Sequence, residues 1–102
     1  MPKPTRQDLI ERAALTALLL FKATTTKKAL KIELRTMYDT FFEAHGRPAG
    51  NFDPDSEEFL PVMTFTDAQF NRVKEAKKAE YNAKRRHETA IRALSSFYRE
   101  AV

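Results

Sequence analysis

The chain has no cysteine and very little glycine. Its two glycines, Gly46 and Gly50, lie in the same stretch as three of its five prolines. Without cysteine there is no disulfide, no thiol nucleophile and no thiolate metal site. A fold rich in β-strands needs turn residues at regular spacing, but here they are confined to residues 46–62. The composition therefore predicts an all-α protein.

Long hydrophobic runs are also missing. The longest apolar run, Ala17 to Phe21, is far shorter than the roughly 20 residues that cross a bilayer. The first residues, Met1 to Arg6, contain no apolar signal-peptide core. We therefore expect no membrane association and a cytoplasmic location.

The residues needed for catalysis or metal binding are sparse. The two histidines, His45 and His87, belong to no nucleophile, phosphate-loop or zinc-protease motif. Asp53, Asp55 and Glu57 resemble calcium ligands, but the glycine and the closing glutamate of an EF-hand loop are absent. We expect a protein without a metal or cofactor, and not an enzyme.

Local signals predict three helices. Thr5 and Asp8 have the spacing of a helix-capping pair, which starts a helix over residues 5–22. Threonine is a poor residue for a helix interior, so residues 24–26 predict a break. A second helix over 26–45 then ends before Gly46.

The closing helix is the clearest element. Thr66 and Gln69 have capping-box spacing, and no glycine or proline interrupts residues 67–101. Such a helix is about 50 Å long, whereas a compact domain of this size is about 33 Å across. It must therefore project, bend or be covered. Its inner positions repeat with steps of three and four, as in a coiled coil: Val73, Ala76, Glu80, Ala83, His87, Ala90, Leu94 and Phe97. The complete prediction is a single three-helix domain over 1–102, with an irregular acidic and apolar loop at 46–66.

Charge is unevenly distributed along the chain. The net charge is +4 in total, divided as +3 over 1–46 (8 basic, 5 acidic), −3 over 47–66 (1 and 4) and +4 over 67–102 (9 and 5). Nine basic residues in the predicted second and third helices form the candidate binding site for nucleic acid or an acidic partner: Lys28, Lys31, Arg35, Lys74, Lys77, Lys78, Lys84, Arg85 and Arg86. A run of charge is also typical of an ordinary solvated helix face.

Three functions remain open from the sequence. The favoured one is a non-enzymatic protein that binds nucleic acid or a nucleoprotein through phosphate contacts. The alternative is a small adaptor or inhibitor, of the kind phages encode, that docks on a larger host complex. Its contacts would be apolar and aromatic side chains: Ile32, Phe59, Leu60, Met63, Tyr81, Phe97 and Tyr98. The third is a self-assembling structural subunit, a homo-oligomer.

Overall fold

Two long antiparallel helices make up almost the whole molecule. The computed structural model describes residues 2–101, so Met1 and Val102, the ends of the predicted 1–102 domain, lie outside it. Helix α1 comprises Arg6–His45, a short 3-10 turn comprises Glu57–Phe59, and helix α2 comprises Leu60–Ala101. The described residues form a rod of 64 × 23 × 19 Å with a radius of gyration of 20.9 Å. A compact chain of this length would have a radius near 13 Å.

The prediction of three helices is wrong, although the prediction of an all-α fold is confirmed. Helix α1 continues through the threonines that were expected to break it. The Thr25 hydroxyl donates to the Phe21 carbonyl at 2.9 Å, one turn back. This bond satisfies the hydroxyl inside the helix, so it does not compete with the helical backbone. The helices predicted over 5–22 and 26–45 are therefore a single helix.

The start of the closing helix also differs from the prediction. Helix α2 begins at Leu60, seven residues before Asp67, and Pro61 lies in its first turn, where a missing N–H does no harm. Thr66 does not cap this helix. It is fully buried inside it, and its hydroxyl donates to the Val62 carbonyl at 2.8 Å. The loop is correspondingly shorter than the predicted 46–66.

The predicted helix start at Thr5 and the predicted helix end before Gly46 are both confirmed. The Thr5 hydroxyl accepts from the Asp8 N–H at 3.1 Å, and the Asp8 carboxylate accepts from the Thr5 N–H at 3.0 Å. The hydrogen bond from the Thr5 N–H, followed by one from the Thr5 side chain to the carboxylate, lowers the pKa of Asp8. At the other end Gly46 has φ of +79°, a backbone conformation that glycine adopts without strain, and its N–H donates to the Phe42 carbonyl at 2.8 Å.

The helices meet along a seam with coiled-coil spacing. The predicted heptad positions of α2 face α1. Every one of them whose side chain the structure describes is buried or half-buried. On α1 the matching positions step by four and three from Leu9 to Phe41. Small side chains such as Ala13, Ala76 and Ala90 are buried where the helices approach. The seam is narrow, and it replaces the three-helix core that the sequence predicted.

Polar contacts fix the register of the seam. The Thr16 hydroxyl lies 2.9 Å from the His87 ring nitrogen Nδ1, and the Lys27 ammonium donates to the Glu80 carboxylate at 2.8 Å. Gln69, only 4 % exposed, donates to the Leu30 carbonyl at 3.0 Å. Each contact pairs residues whose numbers sum to roughly the same value, as antiparallel helices require. A slip of one turn would break all of them and leave buried polar groups without partners.

Aromatic rings close the hairpin at its turn. Phe52, from the connecting loop, lies 5.2 Å from the Tyr38 ring and 5.1 Å from the Phe59 ring, measured between centroids. Phe41 of α1 and Phe65 of α2 are 5.4 Å apart. The loop therefore packs onto the helices through its aromatic residue, and Phe59 is almost fully buried.

The close approach of the helices predicts a strong dependence on the size of Ala90. Replacing this residue, which is 2 % exposed, by leucine forces extra volume between two closely approaching helices and should destabilise the fold by about 1–3 kcal/mol. Chemical denaturation measures the change. Ala79→Leu, at an exposed position of the same helix, is the matched control and should have little effect. If the two substitutions destabilise the fold equally, Ala90 does not lie where the helices approach closely.

The Lys27–Glu80 pair predicts a pH dependence. The hydrogen bond from Lys27, followed by one from Thr24, lowers the pKa of Glu80. The carboxylate therefore stabilises the fold above the ordinary glutamate pKa, and this contribution is lost as pH falls through the lowered value. In thermal unfolding, Glu80→Gln should be less stable than wild type at neutral pH and equal to it in acid. The exposed Glu75→Gln should show no such trend; a deficit of Glu80→Gln that persists in acid would contradict the assignment.

Candidate nucleic-acid interface

The seam determines which outward positions share a face of the hairpin. In an antiparallel pair, the residues that flank the seam on one side of α1 lie beside the residues that flank it on the same side of α2. On one side this places Arg12 of α1 with Arg86 of α2, and both line the same groove. The Arg6–Tyr98 hydrogen bond of 3.0 Å lies at the edge of the opposite side. The predicted cations can be assigned to faces on this basis.

Six of the nine predicted cations come together on one side, which we call the lysine face. It contains Lys28, Lys31 and Arg35 from α1 and Lys74, Lys77 and Lys84 from α2, and all six are exposed. The register of the seam places Lys28, Lys31, Lys74 and Lys77 within about 8 Å of one another along the hairpin axis. Arg35 and Lys84 extend the row in either direction to about 24 Å.

No acidic side chain interrupts this row. The acids nearest to it on the same face of α2 are Asp67 and Glu88, which lie beyond its two ends. Glu80 lies in the seam, where it is bonded to Lys27 and also interacts by charge with Lys84 at one end of the row. Among the described residues, no salt bridge joins any of the six cations to a carboxylate. Their summed field therefore faces solvent and attracts anions.

Tyr81 lies at the edge of the lysine face. Its ring is 60 % exposed, and the Arg85 guanidinium lies over it at 5.8 Å from the centroid. An exposed ring beside cations offers a surface on which a nucleic-acid base can stack. Arg85 and Lys78 belong to the outermost ridge of α2, where Arg92 and Arg99 continue the heptad spacing.

Arg86 is not on the lysine face. It lies across the hairpin in a groove between the helices that is lined by three arginines and four uncharged residues: Arg12, Thr16, Asn82, Arg85, Arg86, Thr89 and Ala90. Arg85 reaches this groove from the outer ridge. Arg12 was missed because a single arginine in α1 has no sequence signal. The pairing of the two helices brings it to the groove. The positive charge of Arg12 helps to lower the pKa of Asp8, and the Asp8 carboxylate already accepts a hydrogen bond from the Thr5 N–H.

The predicted apolar and aromatic contacts are dispersed. Phe59, Leu60 and Met63 lie at the turn of the hairpin, where Phe59 is buried and Leu60 is exposed. Ile32 is 65 % exposed on the outside of α1, whereas Tyr81 is on α2 beside the lysines. Phe97 is half-buried in the seam, and its ring packs edge-on against the Tyr98 ring at 5.9 Å. Tyr98 accepts the hydrogen bond from Arg6. These residues do not form one docking surface.

The described residues include no cluster of histidine, aspartate and glutamate able to hold a metal ion. Nor does any helix in this part of the chain have the length and apolar character needed to span a bilayer. No protein-family model, curated protein or solved structure matches the sequence. The functional argument therefore depends on the geometry of the cationic faces alone.

The crowding of like charges on the lysine face predicts a gain in stability when it is relieved. Lys28→Gln with Lys77→Gln should raise the melting temperature at low salt, because repulsion between neighbouring ammonium groups is removed. High salt should close this gap by screening the wild type. Lys3→Gln with Lys22→Gln, which changes the net charge equally, is the control. If the melting temperature of the control variant rises as much, the stabilisation does not come from a local cluster of charges.

Proposed function

We propose that the protein is a non-enzymatic, cytoplasmic nucleic-acid-binding protein that holds the phosphate backbone on its lysine face. The observation that carries the proposal is the row of six cations from two helices, uninterrupted by acid over about 24 Å. Lysines act as mobile point charges that contact phosphates without reading bases. The proposed binding is therefore electrostatic and independent of nucleotide sequence.

The roles of the other cationic residues follow from their places. The outer ridge, with Lys78, Arg85, Arg92 and Arg99, widens the positive surface beyond the lysine face. Arginine presents a planar fork that holds a phosphate through two hydrogen bonds. The groove with Arg12 and Arg86 is accordingly a second place for a backbone phosphate on the opposite side of the hairpin. Tyr81 supplies the stacking surface for an unpaired base.

The adaptor or inhibitor alternative has less support in the geometry, since its named contacts lie on different parts of the hairpin. A protein partner with an acidic surface would use the same cations as nucleic acid. Salt dependence and competition by free polynucleotide distinguish the two, because counterion release from a polyelectrolyte gives a steep and linear log–log slope.

The proposal predicts a steep, sequence-independent salt dependence. Neutralising about six phosphates of duplex DNA gives a slope of log affinity against log salt near about −5. Lys28→Gln, Lys31→Gln and Lys77→Gln together should reduce the slope to about −3 and weaken binding equally for unrelated sequences. Fluorescence anisotropy with labelled oligonucleotides over a salt series measures both quantities.

The matched control removes the same charge elsewhere. Lys3→Gln, Lys22→Gln and Arg47→Gln lower the net charge by the same amount, but none of these residues is on the lysine face. This variant should keep a slope near that of the wild type. If the two triple variants lose affinity equally, net charge rather than the lysine face is responsible. If the wild type shows no salt slope, the proposed function is wrong.

A further inference from the structure

The outside of α1, on the side facing away from α2, carries a row of uncharged residues that nothing in the described part of the chain covers. We call this row the outer stripe; it consists of Ala14, Leu18, Phe21, Thr25, Ala29, Ile32 and Thr36, and all seven are exposed. Phe21 is 68 % exposed and Ile32 is 65 % exposed. Steps of three and four keep the seven residues on one line of the helix for about 33 Å.

The polar atoms of the stripe are already satisfied. The Thr25 hydroxyl donates to the Phe21 carbonyl at 2.9 Å, and the Thr36 hydroxyl donates to the Ile32 carbonyl at 3.0 Å. Covering these threonines therefore removes no hydrogen-bond donor from water without replacement. The same bonds that keep α1 continuous make its outer stripe suitable for burial.

The molecule exposes more surface than a monomer of its mass. Its accessible area is 8099 Å², whereas a compact monomer of 11.8 kDa exposes about 5,900 Å². The difference of roughly 2,200 Å² exceeds the roughly 800 Å² that each partner buries in a standard protein interface. One further helix-to-helix contact along α1 would fit within this excess.

We propose that the outer stripe binds the outer stripe of a second copy of the chain, antiparallel and about a two-fold axis at Thr25. The steps between its residues are four, three, four, four, three and four, which read the same in both directions from Thr25. A two-fold axis there places Leu18 opposite Ile32 of the second copy. It also places Phe21 opposite Ala29, a large side chain against a small one. The four helices then lie in the order α2, α1, α1, α2.

Charged residues restrict the register. Glu11 and Asp39 bound the stripe at equal distances from Thr25. A shift of the two copies by one heptad would press one of these acids onto apolar side chains, which is strongly unfavourable. In the symmetric register the two acids face each other at the solvent-exposed ends. Their repulsion, like that between two subunits of net charge +4, is screened by salt, so the dimer should tighten as salt rises.

Sedimentation velocity tests the dimer between micromolar and millimolar protein. The wild type should dimerise, and Ile32→Glu should raise the dissociation constant at least about tenfold because it places a charged carboxylate in an apolar contact, opposite Leu18 of the second copy. Leu60→Glu is the matched control: Leu60 is 60 % exposed but lies at the start of α2, so the dimer should persist. A wild type that stays monomeric, or a dimer unaffected by Ile32→Glu, overturns the proposal.

Disulfide trapping tests the axis itself, in a chain that has no cysteine of its own. With helix axes about 9 to 10 Å apart, Cα atoms that face each other are about 4.4 to 5.4 Å apart, within the range that a disulfide spans. Thr25→Cys should therefore link to itself on oxidation. Leu18→Cys should not, because its two copies would be about 21 Å apart, but it should link to Ile32→Cys in a mixture. Self-linking of Leu18→Cys, or none of Thr25→Cys, overturns the antiparallel arrangement.

Dimerisation and nucleic-acid binding are separable in these experiments. The outer stripe contains no residue of the lysine face, and Leu18 is ten residues from Lys28, the nearest lysine-face cation of α1. Leu18→Glu should therefore remove the dimer and leave phosphate contacts by each hairpin intact. Loss of dimerisation in the lysine-face triple variant, with the outer stripe intact, would contradict the independence of the two surfaces.

Discussion

The contact between α1 and α2 is the one interaction on which the rest of the molecule depends. Propensity and caps supply only part of the stability of each helix, and tertiary packing along the seam supplies most of it. Because small residues fill much of that seam, the helices approach closely but bury little area. Polar pairs such as Lys27–Glu80 and Thr16–His87 therefore carry much of the specificity of register.

A two-helix hairpin leaves most of each helix circumference outside the seam, and the residues on these outer surfaces differ between the two helices. Helix α1 presents an uncharged outer stripe, whereas α2 presents a basic ridge. Lysines from both helices share the face between them. The concentration of like charge there opposes folding slightly, and sites that recognise phosphate commonly keep such destabilising charge. The two proposed activities are thus assigned to different sides of one rod.

Part of this architecture was predictable from the sequence. The cap at Thr5, the stop at Gly46 and the heptad positions of α2 have strong local signals, and the structure confirms them. The break at residues 24–26 was predicted from threonine propensity, which is a weak effect that tertiary packing overrides. The seam spacing of α1, which runs through Leu20, Ala23 and Lys27 without a change of phase, was the stronger signal. The prediction that Thr66 caps the closing helix was wrong for a similar reason, since the spacing of a capping box also occurs inside helices.

The grouping of the cations could not be read from either helix alone. Lys77, Lys78 and Arg86 lie close in sequence, yet they face three different directions around α2. Only the pairing with α1 shows that Lys77 belongs with Lys28 and Lys31, and that Arg86 belongs with Arg12. The outer stripe was missed for the same reason. Its residues are recognised as unpartnered only when α2 is known to cover the opposite side of α1.

The outer stripe and the seam from Leu9 to Phe41 both require α1 to be one continuous helix, so the length of α1 is the most direct test. Gln7 and Glu43 are exposed near its two ends, and replacing both by cysteine allows spin labels to be attached. Pulsed electron resonance on the labelled chain, diluted with unlabelled protein to suppress signals between copies, measures their separation. A continuous helix places the two backbone positions about 54 Å apart. A distance below about 33 Å, the width of a compact domain, would mean that the helix breaks at the threonines and would contradict the account.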